Sequence, residues 1–348
     1  MNGKKAFIAM SGGVDSSVAA YIMKQTGFDC CGVTLKLFDE NEAENSIRDA
    51  KAVCDKLGIP HKVYDFTAAF KEKIIEKFIA SYESCKTPNP CVDCNREIKF
   101  GLLMDAAFEM GMDYIATGHY ARVCYNETQN RYELKKAGDT SKDQSYVLYS
   151  LTQEKLAHIK LPLGNMTKPE VREIAQNLGF VTAEKKDSQD ICFIKGCDYF
   201  EFIENYTGKK YAQGNFTDKS GNVLGKHSGL VRYTIGQRKG LGLALPHPMY
   251  VCEKNAENNT VVLCDNNELF SAELTAGNFS FVSGSAEKYP VRVLAKIRYA
   301  HREQPAVITE ISADTVNITF DEPQRAITKG QALVLYNGDT VLGGGTIL

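Results

Sequence analysis

Residues 6–17, AFIAMSGGVDSS, decide the fold. A short apolar strand runs into a Ser-Gly-Gly-x-Asp-Ser turn, and a helix with Val18, Ala19, Ile22 and Met23 at helical spacing follows until Gly27. Ser11, Gly12 and Gly13 let the backbone turn tightly and close on a ligand without a Cβ in the way, so several N–H groups face one anion. The helix aims its positive end at the same point. These features describe a phosphate cradle. It differs from the Walker loop, because no Gly-Lys-Ser/Thr follows and no lysine is expected to reach a terminal phosphate.

Outward from this loop, strand and helix patterns alternate. Strands are predicted at 29–35 (DCCGVTL), 61–66 and 114–118 (YIATG), and helices at 42–57, 67–82 and 95–110, with a Cys- and Pro-rich loop over 84–93. The alternation predicts an α/β fold: a parallel sheet with right-handed crossovers and a ligand crevice at the strand C-termini, the edge that carries the loop. Residues 152–206 read as mostly helical, clearest at 168–178, where Thr167 caps, Pro169 sits in the first turn and Gly179 ends the helix. Beyond Gly208 the texture changes to short alternating runs (261–263, 291–297, 306–311, 316–320, 332–336) between Gly, Asn and Asp turns. Three units are expected: 1–206, a central β module over 207–275, and a C-terminal β domain over 276–348.

A chain of 348 residues with 43% hydrophobic and 24% charged residues can bury several cores. The apolar run in MNGKKAFIAM is too short for a signal peptide and no stretch approaches a membrane span, so a cytoplasmic protein without a membrane partner is expected. Eleven cysteines, odd in number and irregularly spaced, fit reduced thiols better than a disulfide framework. The net charge of −2 argues against a generally basic nucleic-acid binder. One local patch stands out: between 205 and 245, Lys209, Lys210, Lys219, Lys226, Arg232, Arg238 and Lys239 face Asp218 alone.

Two cysteines lie among cations. Cys94, expected just before a helix starting near Asn95, has Arg96 and Lys99 nearby; Cys192 has Lys185, Lys186 and Lys195. Both settings would lower a thiol pKa.

SGGVDSS resembles the loop of the ATP pyrophosphatase superfamily. With TPNPCVDCNREIKFG, IATGHYAR, KDQSYVLY, KKDSQDICFI, YTIGQRKGLG and KIRYAH, the whole chain resembles the bacterial tRNA-specific 2-thiouridylases. That resemblance implies an ATP domain, a central β domain and a C-terminal β-barrel, thiolating the wobble uridine of certain tRNAs. It places ATP on Ala9, Met10, Ser11, Gly12, Gly13, Val14, Asp15, Ser16, Leu35 and Gly118, with Mg²⁺ expected to accompany it and Asp15 to help hold the ion. Cys94 falls on the family's nucleophile and Cys192 on its persulfide carrier. Asn89, Pro90 and Cys91 fall on the segment touching the base; His119, Lys142, Asp143, Gln144, Arg298, Tyr299 and Gln331 fall on tRNA contacts. A sulfur-relay or cysteine-desulfurase protein would be the donor partner.

Cys91 departs from the family pattern, standing where many relatives carry Asp and creating Cys91-x-x-Cys94 with Cys85 upstream. It leaves open an iron-sulfur-dependent thiolase using Cys85, Cys91 and Cys94. A non-enzymatic nucleotide sensor with RNA-binding β modules is the third reading.

Overall fold

The computed structural model describes residues 3–38, 41–185, 191–284 and 290–348. The first strands in chain order are β1 (Lys5–Ala9), β2 (Asp29–Lys36), β3 (His61–Asp65), β4 (Tyr114–Ala116), β5 (Ala121–Asn126), β6 (Arg131–Lys136) and β7 (Ile159–Lys160). Five of them make a parallel sheet in the order β3-β2-β1-β4-β7. Alternation along β1 sends Phe7 into one apolar cluster, with Val33 and Ile115, and Ala6 and Ile8 into another, with Val18 and Ala116. Burial on both faces is what an apolar run in a parallel sheet requires. The strand order reverses beside β1, so a crevice opens between the C-terminal ends of β1 and β4.

Two helices differ from their sequence reading. Residues 67–83 are continuous, wound more widely over Lys71–Glu76. The second helix begins at Pro90 and not near Asn95, because Asn89 caps it, its side-chain oxygen accepting from the Cys91 N–H at 3.2 Å, and Pro90 takes the first position. It too widens, over Cys94–Leu102, with a kink at Phe100.

The central unit is a four-stranded sheet of β8 (Gly214–Thr217), β9 (Val223–His227), β10 (Tyr250–Asn255) and β11 (Thr260–Cys264), packed on Phe216, Tyr233, Val251 and Val261. Then β12 (Phe270–Phe281), β13 (Val291–Lys296), β14 (Gln304–Ser312), β15 (Thr315–Arg325), β16 (Ala332–Asn337) and β17 (Thr340–Ile347) close into a six-stranded barrel, sealed by β12 against β17. The expected boundary at 275/276 lies inside β12. Ala276 is the seam itself, paired with both Val316 and Ile347. The β5–β6 hairpin, absent from the sequence reading, leaves the first domain and joins the barrel at β17, giving one eight-stranded sheet across two units. Among the described residues no helix is long and apolar enough to cross a membrane.

Candidate active site

The loop after β1 is built by its own serines. Ser16 Oγ accepts from the Ser11 N–H at 3.2 Å and donates to the Gly13 carbonyl at 3.1 Å, while Ser17 Oγ donates to the same carbonyl at 2.9 Å. Met10 and Val14 bury their side chains in the core, so these two positions can offer a ligand only backbone. Gly12 has φ +69°, and a Cβ there would sit 2.6 Å from the Ser46 carbonyl oxygen. A Cβ on Gly118 would meet the backbone of Asp15 and Ser16 at 2.8 Å, so the end of β4 lies directly against the first helical turn. Ala9 ends β1, and Leu35 sits half-buried near the end of β2.

Lysines do reach this loop, from distant sequence. The Lys168 ammonium donates to both Asp15 oxygens, at 2.7 and 2.8 Å, and the Tyr120 hydroxyl donates to Asp15 Oδ1 at 2.7 Å. Lys185 donates to the Gly12 carbonyl at 2.8 Å and pairs with Asp49 at 2.6 Å. Loop spacing alone excludes a Walker lysine but is silent about chain segments folded back from 150 residues away. With both oxygens engaged by Lys168, Asp15 is not free to ligate a cation, and among the described residues no three His, Cys, Asp or Glu side chains group to hold a metal. The described residues therefore do not build a Mg²⁺ site. They do fit a nucleotide's phosphates, through free first-turn N–H groups and two flanking ammoniums.

The thiols converge. Cys94, only 9% exposed, packs in one apolar cluster with Phe70, Phe78, Phe193 and Ile194, the last two flanking Cys192 closely. Burial pushes the Cys192 thiol up to about 12, with Cys94 and Cys91 adding their like charges; burial likewise raises Cys94, with the Cys91 charge adding to it. Three thiols thus lie within electrostatic reach of one another. The expected lowering is overturned: desolvation outweighs the cations. Arg96 is spent on Asp93 (2.7 Å) and Glu97 (2.8 Å), Lys185 on the loop, and Lys195 on the Phe38 ring (5.0 Å). Lys186 lies outside the described residues. Lys99 acts as expected, favouring thiolate at Cys91, Cys94 and Cys192 together, and Lys195 does so at Cys192. Asn95, buried beside Cys94, donates to the Val147 carbonyl at 3.1 Å and leaves Oδ1 without a partner among the described residues. Cys85 stands apart from this group, at φ +62° and near the buried Lys254 ammonium.

The expected RNA contacts occupy the same mouth in different ways. His119 is buried, its ring nitrogen 2.7 Å from Thr117 Oγ1, and burial, then Lys99, hold its pKa well below the usual value. Asp143 Oδ1 accepts from the Ala137 N–H, and Gln144 is tied to Tyr120 through two bonds of 2.8 and 3.0 Å; neighbouring Lys142 is half-buried. The Tyr299 hydroxyl donates to the Asp143 carbonyl at 3.3 Å, and the Cys91 charge reaches it as well. Gln331 donates to the carbonyls of Thr87 (2.9 Å) and Pro88 (3.3 Å), and the Thr87 N–H donates to the Lys329 carbonyl at 2.8 Å. So the barrel grips the segment leading to Asn89, Pro90 and Cys91. The Lys99 charge acts on His119 and on the three thiols alike, and Gly118, beside His119, abuts the loop.

Fold and loop together define a HUP-type nucleotide-binding α/β domain carrying a central β module and a closed barrel. Residues 4–196 match the model of the tRNA methyl transferase HUP domain, 200–265 the tRNA methyl transferase PRC-barrel domain, and 271–347 the aminomethyltransferase beta-barrel domain. The chain is 49% identical to the tRNA-specific 2-thiouridylase MnmA of Clostridioides difficile (strain 630), covering 99% of this chain and 98% of that one. It is 48% identical to the protein of that name in Acetivibrio thermocellus, with 100% of each covered. Among solved structures it resembles the U34-tRNA thiolase NcsA from Methanococcus maripaludis with its [4Fe-4S] cluster, at TM-score 0.38 and 20% identity over 60% of this chain and 66% of that one. The chain belongs to the tRNA-specific 2-thiouridylase family.

Proposed function

We propose that this protein converts the wobble uridine of its tRNA substrates to 2-thiouridine, using ATP and a persulfide on Cys192. What supports the reading is the convergence of two thiols, 98 residues apart in sequence, in the domain whose switch point carries a phosphate loop.

A uracil C2 carbonyl is a poor electrophile. Its oxygen attacks the α-phosphorus of ATP, so an O–P bond forms, pyrophosphate leaves, and AMP becomes a good leaving group at C2. Loop N–H groups, Lys168 and Lys185 offset charge developing on the phosphates. The terminal sulfur of a Cys192 persulfide then bonds to C2 as AMP departs. The Cys94 thiolate attacks Cys192 Sγ, the S–S electron pair returns to the sulfur on the base as C2=S, and a Cys94–Cys192 disulfide remains for an external thiol to reduce. Release of sulfide before attack on C2 uses the same two thiols. Drawing a loop base into the mouth costs about a few kcal/mol, since it is already partly unstacked.

The test is nucleoside mass spectrometry of the anticodon after incubation with ATP, a persulfide donor able to pass sulfane sulfur to a thiol, and unmodified tRNA. Wild type adds sulfur in place of oxygen. Cys192→Ser still releases pyrophosphate but leaves uridine unthiolated. Normal thiolation by that variant overturns the sulfur assignment, and absent pyrophosphate release in wild type favours the nucleotide-sensor reading. For the iron-sulfur alternative, Cys91 and Cys94 are together but Cys85 is not. Stoichiometric iron in anaerobically purified protein would favour it.

A further inference from the structure

The three units of the chain meet at a cavity of about 510 Å³ that the chemistry above does not use. Its volume falls in the range of small-ligand sites, roughly 300–1,000 Å³. The 199–207 helix contributes Asp198 and Phe200 at its start, the central unit Arg232, and the barrel Arg298 and Arg325. Three guanidiniums therefore face one carboxylate. Asp198 is itself occupied, its Oδ1 accepting from the Glu201 N–H at 2.8 Å as the helix cap.

The arginines are braced by neutral groups. Arg325 Nε donates to Asn266 Oδ1 at 2.9 Å and its guanidinium lies 4.9 Å from the Tyr250 ring; Arg232 lies 4.8 Å from the Phe200 ring. Among the described residues none of the three forms an ion pair. Stacking fixes the Arg232 and Arg325 planes; Arg325 spends Nε on Asn266 and one terminal nitrogen on the Gly236 carbonyl (3.4 Å), and Arg232 one on Ser228, so each keeps a terminal nitrogen to meet a phosphate oxygen. Placing three cations in one cavity costs free energy that an anion would offset.

Position names the anion. Arg298 adjoins Tyr299, whose hydroxyl donates to the Asp143 carbonyl at 3.3 Å, so the cavity borders residues expected to contact RNA. We infer that this junction holds phosphodiester groups of the RNA strand running away from the target base, with Arg232 and Arg325 joining Arg298 as donors. The inference rests on the RNA reading above and deepens it, because all three units must be assembled before the anchor exists.

Salt titration of tRNA binding tests it. For Arg232→Gln/Arg325→Gln the slope of log affinity against log salt should fall in magnitude by roughly 1.5 to 2, since each lost phosphate contact removes somewhat under one unit. Arg232→Gln alone should remove about one; Arg232 is solvent-exposed and its side chain donates, among the described residues, to Ser228 Oγ alone at 3.4 Å, so this variant stands in if the double one does not fold. Unchanged slopes in folded variants overturn the inference while leaving the RNA reading intact. So does a loss confined to AMP or inorganic phosphate binding, which would make this a small-molecule site. If the wild type binds tRNA without salt dependence, the RNA reading itself has failed.

Discussion

Cys192 presents a thiol that is accessible yet held protonated, because its apolar surroundings and two neighbouring thiols outweigh Lys99 and Lys195. Only the thiolate alkylates, so the iodoacetamide rate at Cys192 should climb about tenfold per pH unit from neutrality to beyond pH 10 without a plateau. Peptide mass spectrometry after timed labelling reads this; a plateau near pH 8 would show an activated thiol. The same physics explains what was legible. Cys94 and Cys192 stand out in sequence through their flanks, but charge counting along the chain predicts the wrong direction of shift, since it sees lysines and not the rings of Phe70, Phe78 and Phe193. Gly118 offers a second residue-scale test. Gly118→Ala pushes a Cβ into the Asp15–Ser16 backbone, so ATP affinity should drop at least tenfold, measured by calorimetry, with the far-UV spectrum retained.

At the scale of elements, the phosphate loop and its flanking strand and helix are readable because each local signal agrees with the others: β1's apolar run, two glycines, and an apolar helix face. The 90–109 helix was half readable. Its start at Asn89-Pro90 carries cap and first-turn signals that Cys spacing overshadows. The β5–β6 hairpin escaped because half-polar strands such as RYELKK resemble solvated turns until a partner sheet covers them. Lys168 and Lys185 escaped for a related reason: a long-range approach leaves no trace in spacing. Gln331 bonds the Thr87 and Pro88 carbonyls from the barrel, so Gln331→Ala should lower stability by about 1 to 2 kcal/mol. Hydrogen exchange should then quicken over 84–90 and not in β1; unchanged exchange there would mean the grip does not order the segment.

Across the whole molecule, the basic run between 205 and 245 divides. Lys209, Lys210 and Lys219 are paired with Glu83, Glu204 and Glu268, whereas Lys226, Arg232, Arg238 and Lys239 form no ion pair among the described residues. If those four meet phosphates, tRNA affinity should fall with salt along a log-log slope of roughly −3 to −4. A flat response would remove the patch from RNA binding. The two β units were legible as texture, but not the seam at Ala276, because a strand shared by two partners looks like any other strand. The eight-stranded sheet has a further consequence. The edge of β6 is covered by β17, and Arg122 is bonded at 2.7 Å to Asp339, 217 positions later. During synthesis on the ribosome the nucleotide domain therefore emerges with a bare strand edge, and stays open to pairing with a stranger until the barrel has been translated and folded.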